Sequence, residues 1–156
     1  MFWLNRMNEI VVMNRFDLIR SNARNRLPSK VTFDFCDVYL ENIPIVVIIP
    51  FKGAEIDTAA VQDFGRFLNQ TVLRPVAILE LRRHAYCWRE ESQTALLELP
   101  AVLCQAIVDQ RDSEEAETKA PLNIYSGLLK PVETFWSRDI AERWLKEIIK
   151  LEQSRR

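Results

Sequence analysis

The chain has 156 residues, of which 48% are hydrophobic and 28% are charged, and its formal net charge at pH 7 is −1. These values are typical of one globular domain with its own core, and they exclude an intrinsically disordered chain. The longest apolar run, residues 43–51, is far shorter than the roughly 20 residues that cross a bilayer, so no membrane insertion is predicted.

Cysteine and histidine content limits the compartment and the chemistry. The three cysteines, Cys36, Cys87 and Cys104, are odd in number and widely spaced, so we expect free thiols rather than a disulfide framework. Free thiols and the lack of a secretory signal pattern favour a cytoplasmic location. With His84 as the single histidine and no Cys-x-x-Cys pair, the sequence predicts no metal site.

Charge is unevenly distributed along the chain. Residues 1–30 carry six basic side chains against two acidic ones, and we interpret them as a basic N-terminal extension. Such an extension could touch nucleic acid or acidic lipid, but cations spread in this way are more often a solvated surface. Residues 31–156 are predicted to form a single α/β domain.

The first part of this domain alternates strands with a helix. Residues 31–40 and the continuously apolar residues 45–50 are predicted to be two strands of a hairpin, joined by turn-forming residues. Asp57 can cap a helix with apolar residues every three or four positions, ending before Pro75. That helix is a crossover connection, so the next strand, residues 76–81, is expected to run parallel to its predecessor.

The second part continues the alternation. Residues 91–110 have helical periodicity, with a kink expected at Pro100, and residues 111–120 are predicted to be an exposed loop. A short strand is predicted at residues 123–128, and Ser137 caps a final helix with one apolar stripe. The order of elements predicts an α/β sandwich, in which helices pack on a mixed sheet of four to five strands.

Common catalytic and cofactor-binding patterns are missing from the sequence. Gly53, Gly65 and Gly127 are too far apart to form a phosphate-binding loop, so no nucleotide cofactor is predicted. A Cys-His pair would have to use His84, and the side chain of the nearby Cys87 would point to the opposite face of an extended strand. No cofactor of any kind and no enzymatic activity are predicted.

One enzymatic alternative rests on the spacing Glu80-Leu81-Arg82. Magnesium-dependent nucleases often place an acid and a lysine two residues apart on one strand, with a further acid upstream. Glu80 has that position here, and Asp57 and Asp63 are candidate upstream acids. An arginine stands in place of the lysine, and both aspartates fall on or beside a predicted helix.

Two stretches resemble the STAS superfamily, the fold of bacterial anti-sigma-factor antagonists and related antagonist-like domains. Residues 77–92, "AILELRRHAYCWREES", align without a gap with a family strand that runs into the phosphorylated serine at the start of the next helix. Residues 134–145, "TFWSRDIAERWL", are similar to the helix that ends many antagonist-like sequences. The resemblance implies a STAS-like fold and a non-enzymatic module that binds a partner protein near the start of the second helix.

The family's phosphorylation switch is not carried over. Trp88 stands where the family has an aspartate, and Arg89 stands at the position of the phosphorylated serine. Ser92 follows three residues later and is a poor substitute for it.

The sequence therefore predicts a regulatory or scaffolding domain that acts by protein-protein contact. A nuclease or other nucleic-acid-acting protein, and an immunity-type or pathway-specific binding protein, are the alternatives. Arginine, tyrosine and tryptophan dominate the energetics of interfaces. We accordingly predict that the partner binds to an exposed cluster of such residues: Arg82, Arg83, Tyr86, Trp88 and Arg89.

Overall fold

The computed structural model describes residues 29–89, 91–111 and 130–155. The described strands are β1 (Lys30–Thr32), β2 (Cys36–Tyr39), β3 (Ile45–Pro50), β4 (Glu55–Ile56), β5 (Val76–Arg82), β6 (Cys87–Trp88), β7 (Val102–Asp109) and β8 (Val132–Phe135). The described helices are α1 (Thr58–Thr71), α2 (Ser92–Glu98) and α3 (Arg138–Ser154). The predicted strand at residues 123–128 and nearly all of the predicted N-terminal extension lie outside the described residues.

The main sheet has six strands in the order β1-β2-β3-β5-β7-β8. Strands β1, β2 and β3 are antiparallel neighbours, whereas β3, β5, β7 and β8 run parallel to one another. The short strands β4 and β6 form a separate parallel pair. The predicted α/β class, mixed sheet, hairpin and crossover connection are thus confirmed, and the main sheet has one strand more than the largest number predicted.

Helices cover both faces of the sheet. Helix α1 begins at its cap Asp57, whose carboxylate accepts a hydrogen bond from the Ala60 amide at 2.8 Å, and it packs with α2 on one face. Helix α3 begins at its cap Ser137 and packs on the other face through Ala141, Leu145 and Ile149. The central strands are therefore apolar on both sides, as continuous runs such as "IVVIIP" predict.

The predicted strand at residues 31–40 is divided into β1 and β2. A turn closed by the Phe33 amide donating to the Cys36 carbonyl at 2.8 Å separates the two strands. Phe33 is buried by the turn and packs edge-on against Phe64 and Phe67 of α1. Alternating β-branched and aromatic residues predict the extended conformation of this segment. They do not predict the break, because the break is stabilised by the packing of Phe33 on a helix that is distant in the sequence.

The prediction of a helix over residues 91–110 is wrong for its second half. Helix α2 ends at Glu98, Leu99 is extended as expected for a residue before proline, and β7 follows. Strand β7 is almost entirely buried and pairs with β5 on one side and β8 on the other. Its sequence "VLCQAIVD" is long and apolar enough to form either a buried helix or a buried strand. It forms a strand because it pairs with two parallel neighbours, β5 and β8.

In the part of the chain that the structure describes, no helix is both long enough and apolar enough to span a membrane.

The three thiols differ in their accessibility. Cys36 and Cys104 have no exposed surface, whereas Cys87 is exposed. Burial raises the pKa of Cys104 to about 12. Burial also raises the pKa of Cys36 well above its usual value, and the negative charges of Asp37 and Glu80 raise it further.

We expect a disulfide reagent such as dithionitrobenzoate to label Cys87 quickly in the folded protein at mildly alkaline pH. Because only the thiolate reacts, Cys36 and Cys104 should react only after denaturation. The measurement is the number of cysteines labelled per chain before and after addition of denaturant, read from the thionitrobenzoate that the reagent releases. The Cys87→Ser variant should lose the fast phase, and a fast phase that persists in this variant would contradict the structure.

Candidate functional site

Two loops pair with each other at the carboxyl ends of the parallel strands. Strand β4 lies in the loop after β3, and β6 lies in the loop after β5; they pair with Glu55 opposite Cys87 and Ile56 opposite Trp88. The Gly53 amide, in a left-handed turn with φ of 77°, donates to the Ala85 carbonyl at 2.8 Å. Residues 51–57 and 83–89 are thereby joined into one surface, which we call the loop platform.

The loop platform is attached to the sheet through the buried carboxylate of Glu80. Glu80 lies in the middle of β5, has no exposed surface, and pairs through its backbone with β3 and β7. Its Oε2 accepts hydrogen bonds from the Tyr86 hydroxyl, from Trp88 Nε1 at 3.1 Å and from Arg82 Nη2 at 3.3 Å. Its Oε1 accepts from Gln105 Nε2 of β7 at 2.6 Å. A buried carboxylate needs such compensation, and two of its four donors belong to the loop platform.

Arg82 provides the positive charge of this cluster. Its side chain is only 15% exposed, and its guanidinium lies over the Tyr86 ring at 5.4 Å from the ring centroid. Burial is the largest single influence and lowers the pKa of Arg82, but the charge of Glu80, the neighbouring Tyr86 and the hydrogen bonds to both together raise this pKa above its usual value. The guanidinium of Arg82 is therefore charged, and it lies 3.3 Å from the buried Oε2 of Glu80.

Tyr86 is held in its protonated form. Burial raises its pKa well above the usual value, and the negative charge of Glu80 adds to the effect, while Arg82 opposes it. The hydroxyl donates to Glu80 and accepts a hydrogen bond from Arg82 Nε at 3.2 Å. A phenolate would lose the hydrogen bond to Glu80 and would place two negative charges side by side.

The five residues predicted to bind a partner are divided between two roles. Arg82, Tyr86 and Trp88 are half-buried and turn toward Glu80, so the prediction that they belong to an exposed cluster is wrong. A buried carboxylate attracts every nearby donor, which explains the difference. Arg83 and Arg89 are exposed as predicted.

The two exposed arginines are held only loosely. Arg83 Nε donates to Gln110 Oε1 at 3.0 Å. Arg89 lies 3.8 Å from the carboxylate of Glu55, and both side chains are more than half exposed. Surface ion pairs of this kind contribute little to stability, so both guanidinium groups are available to another molecule.

Gln105 is the member of the cluster that sequence reasoning missed. It lies in a segment predicted to be helical, where it would be an ordinary surface residue. In β7 it faces Glu80 with no exposed surface. The signal in the sequence was a lone amide within the apolar run "VLCQAIVD", which indicates a buried polar partner once that run is assigned to a strand.

The residues of the nuclease alternative are not brought together for metal binding. Both oxygens of Glu80 accept hydrogen bonds from protein donors. Asp57 caps α1, and Asp63 pairs with Arg66 on the exposed side of that helix. Among the residues that the structure describes, no three His, Cys, Asp or Glu side chains form a group that could hold a metal ion.

Ser92 has a structural role at the start of α2. It has no exposed surface, and its hydroxyl donates to the Arg89 carbonyl at 2.6 Å. The preceding residue, Glu91, has a left-handed backbone with φ of 65°, which is strained for a residue other than glycine. The hydroxyl thus stabilises a tight turn at the end of the loop platform and is not presented for modification.

Comparisons with known proteins give one structural likeness. No family model and no curated protein matches the chain. A similar solved structure is that of an uncharacterized protein of the DUF3478 family from Shewanella loihica PV-4, described as having a SpoIIAA-like fold. The two chains are 12% identical, the match covers 70% of this chain and 91% of that chain, and the TM-score is 0.44. The neighbour's fold is STAS-like, which is the fold that the sequence resemblance predicts, and the likeness concerns the fold alone.

We expect Glu80→Gln to destabilise the protein by about 3 kcal/mol, because removing one partner of a buried ion pair leaves the other uncompensated. The new amide would also place a donor among groups that are already donors. Urea unfolding provides the measurement. As a control, Glu55→Gln removes the exposed pair with Arg89 and should change stability by less than about 1 kcal/mol. Similar effects of the two substitutions would contradict the role assigned to Glu80.

We also expect Tyr86 to ionise only well above the usual tyrosine pKa of about 10. Because the pKa is raised in the folded state, the stability that protonated Tyr86 provides is complete below pH of about 10 and is lost as pH rises through the folded pKa. Titration of the phenolate absorbance in the wild type and in Tyr86→Phe isolates this group. A difference curve with an ordinary tyrosine midpoint in the folded protein would refute the assignment.

Proposed function

We propose that this protein is a non-enzymatic regulatory or scaffolding domain that acts by contact between its loop platform and a partner protein. The observation that carries the proposal is the Glu80 cluster, which fixes the loop platform to the central strand of the sheet. The side chains of this cluster hydrogen-bond to one another, so their role in the proposal is to hold the loops in place. The loops above them are presented to solvent in one fixed shape.

A fixed shape favours binding to a protein surface. Loops that are already ordered lose little conformational entropy on association, so more of the contact energy appears as affinity. The backbone of the loop platform is ordered by the β4-β6 pairing, and Trp88 and Tyr86 anchor it from below. Their half-exposed rings can still contribute contact area at the surface.

The exposed arginines supply the polar part of the proposed contact. Arg83 and Arg89 lie at the two ends of residues 83–89, and arginine is among the residue types whose truncation costs most at interfaces. Arg82, Tyr86 and Trp88, the other predicted contact residues, would act mainly by holding these two in place. The proposed site therefore keeps the five residues but divides them into contact and support.

The proposal can be tested by reversing the charge of Arg83 and Arg89 together. The tagged full-length wild type and the Arg83→Glu/Arg89→Glu variant would be recovered from the native host, and the proteins bound to each would be quantified. We expect a specific partner whose affinity, remeasured with purified components, falls at least about tenfold in the variant. Arg66→Glu/Lys146→Glu, which reverses two exposed charges on α1 and α3, is the matched control and should bind like the wild type.

Two results would count against the proposal. Equal partner affinity in the platform variant and the control, with both folded by circular dichroism, would remove the site assignment. Magnesium-dependent cleavage of DNA or RNA by the wild type that is lost in folded Glu80→Gln protein would instead favour the nuclease alternative. An immunity-type or pathway-specific binding protein would also lose affinity for its partner in the platform variant, and the identity of the partner distinguishes it, since the fold alone does not.

A further inference from the structure

A cavity of about 460 Å³ lies at the edge of the sheet opposite the loop platform. It is formed at the amino ends of β3, β5 and β7, where the end of α1, the β2–β3 connection and the last turn of α3 come together. The volume is within the range of roughly 300–1,000 Å³ that is usual for pockets that hold small molecules.

The walls of this cavity are mainly apolar. Val72, Val76, Leu103 and Ile149 line it. Leu73, which is 68% exposed, also lines it and is among the most exposed large apolar side chains of the described residues. Such exposure is unfavourable in water and is relieved when an apolar molecule covers the side chain.

The cavity is preformed by backbone hydrogen bonds. The Ala77 amide donates to the Pro44 carbonyl at 2.8 Å, and the Val76 amide donates to the Ala101 carbonyl at 2.8 Å. The Val72 amide donates to the Leu68 carbonyl at 2.9 Å and closes the end of α1. Three walls of the cavity are therefore held by the sheet and by a helix end, and binding would need little rearrangement.

Thr71 gives the cavity an unmet hydrogen-bonding group. The residue is 7% exposed and lines the cavity, and its hydroxyl finds no hydrogen-bonding partner among the described groups. A buried hydroxyl without a partner destabilises a protein, so its presence calls for an explanation. Thr71 has three staggered χ1 rotamers, and a rotation of about 120° moves the hydroxyl to another of these positions, where it can meet a molecule in the cavity.

The charged groups at the cavity disfavour an anionic ligand and supply no net side-chain charge to pair with a cation. Arg74 and Glu152 are its two charged lining residues among those described, one of each sign. The carboxyl ends of α1 and α3 both face it, and helix carboxyl ends disfavour anions. We propose that this cavity binds a small, uncharged, mainly apolar molecule with one group that hydrogen-bonds to Thr71.

The test uses the full-length protein and N-phenyl-1-naphthylamine, an uncharged dye with one N–H group whose fluorescence rises in apolar sites. We expect saturable binding of one dye per chain, and weaker binding of the anionic dye anilinonaphthalene sulfonate. Val72→Trp should fill the cavity and weaken binding of the uncharged dye at least tenfold. Leu151→Trp, which adds the same side chain at an exposed position of α3 outside the cavity, should bind like the wild type.

Further variants keep the test decisive if Val72→Trp does not fold. Leu103→Phe also narrows the cavity and should weaken binding several-fold. Thr71→Val should weaken binding about threefold and raise the midpoint of thermal unfolding, because it removes the unmet hydroxyl. Absence of saturable binding by the wild type, or equal affinity in folded filling variants, would overturn the proposal; unchanged affinity in Thr71→Val would overturn the role of the hydroxyl.

Discussion

A single negative charge in the middle of a buried strand determines how this protein presents its surface. Glu80 has no contact with solvent, and a carboxylate in that position is tolerated only when it is paired and hydrogen-bonded. The four donors that meet this requirement come from three separate places: β5 itself, β7 and the loop that carries β6. Burial of one charge thus joins the central strand, its parallel neighbour and the loop platform into one unit.

The two ends of the parallel sheet differ in chemistry. At the carboxyl ends, the loop platform presents exposed charge above a hydrogen-bonded cluster. At the amino ends, the cavity is mainly apolar and is bordered by the ends of α1 and α3. The proposed partner contact and the proposed small ligand therefore require different kinds of recognition.

Much of the fold could be predicted because local signals and tertiary packing agree. Asp57 and Ser137 cap helices that begin where predicted, and the apolar run of β3 is a strand buried on both faces. Predictions failed where a distant contact decides the local structure. The predicted strand at residues 31–40 is interrupted where Phe33 packs on α1. Residues 102–109 form a strand because they pair with β5 on one side and β8 on the other. The predicted contact residues lie in one segment, but the direction of their side chains depends on Glu80, whose burial no periodicity reveals.

The shared acceptor also limits how the sequence can change over evolutionary time. Gln105, Tyr86 and Trp88 all donate to one carboxylate, so replacement of Glu80 by an apolar residue would remove the acceptor of one buried and two half-buried donors. These positions can be expected to vary as a set, whereas Arg83 and Arg89 are free to vary one at a time. Related chains could therefore keep the same loops while changing the side chains displayed on them, and so present a different surface without rebuilding the domain.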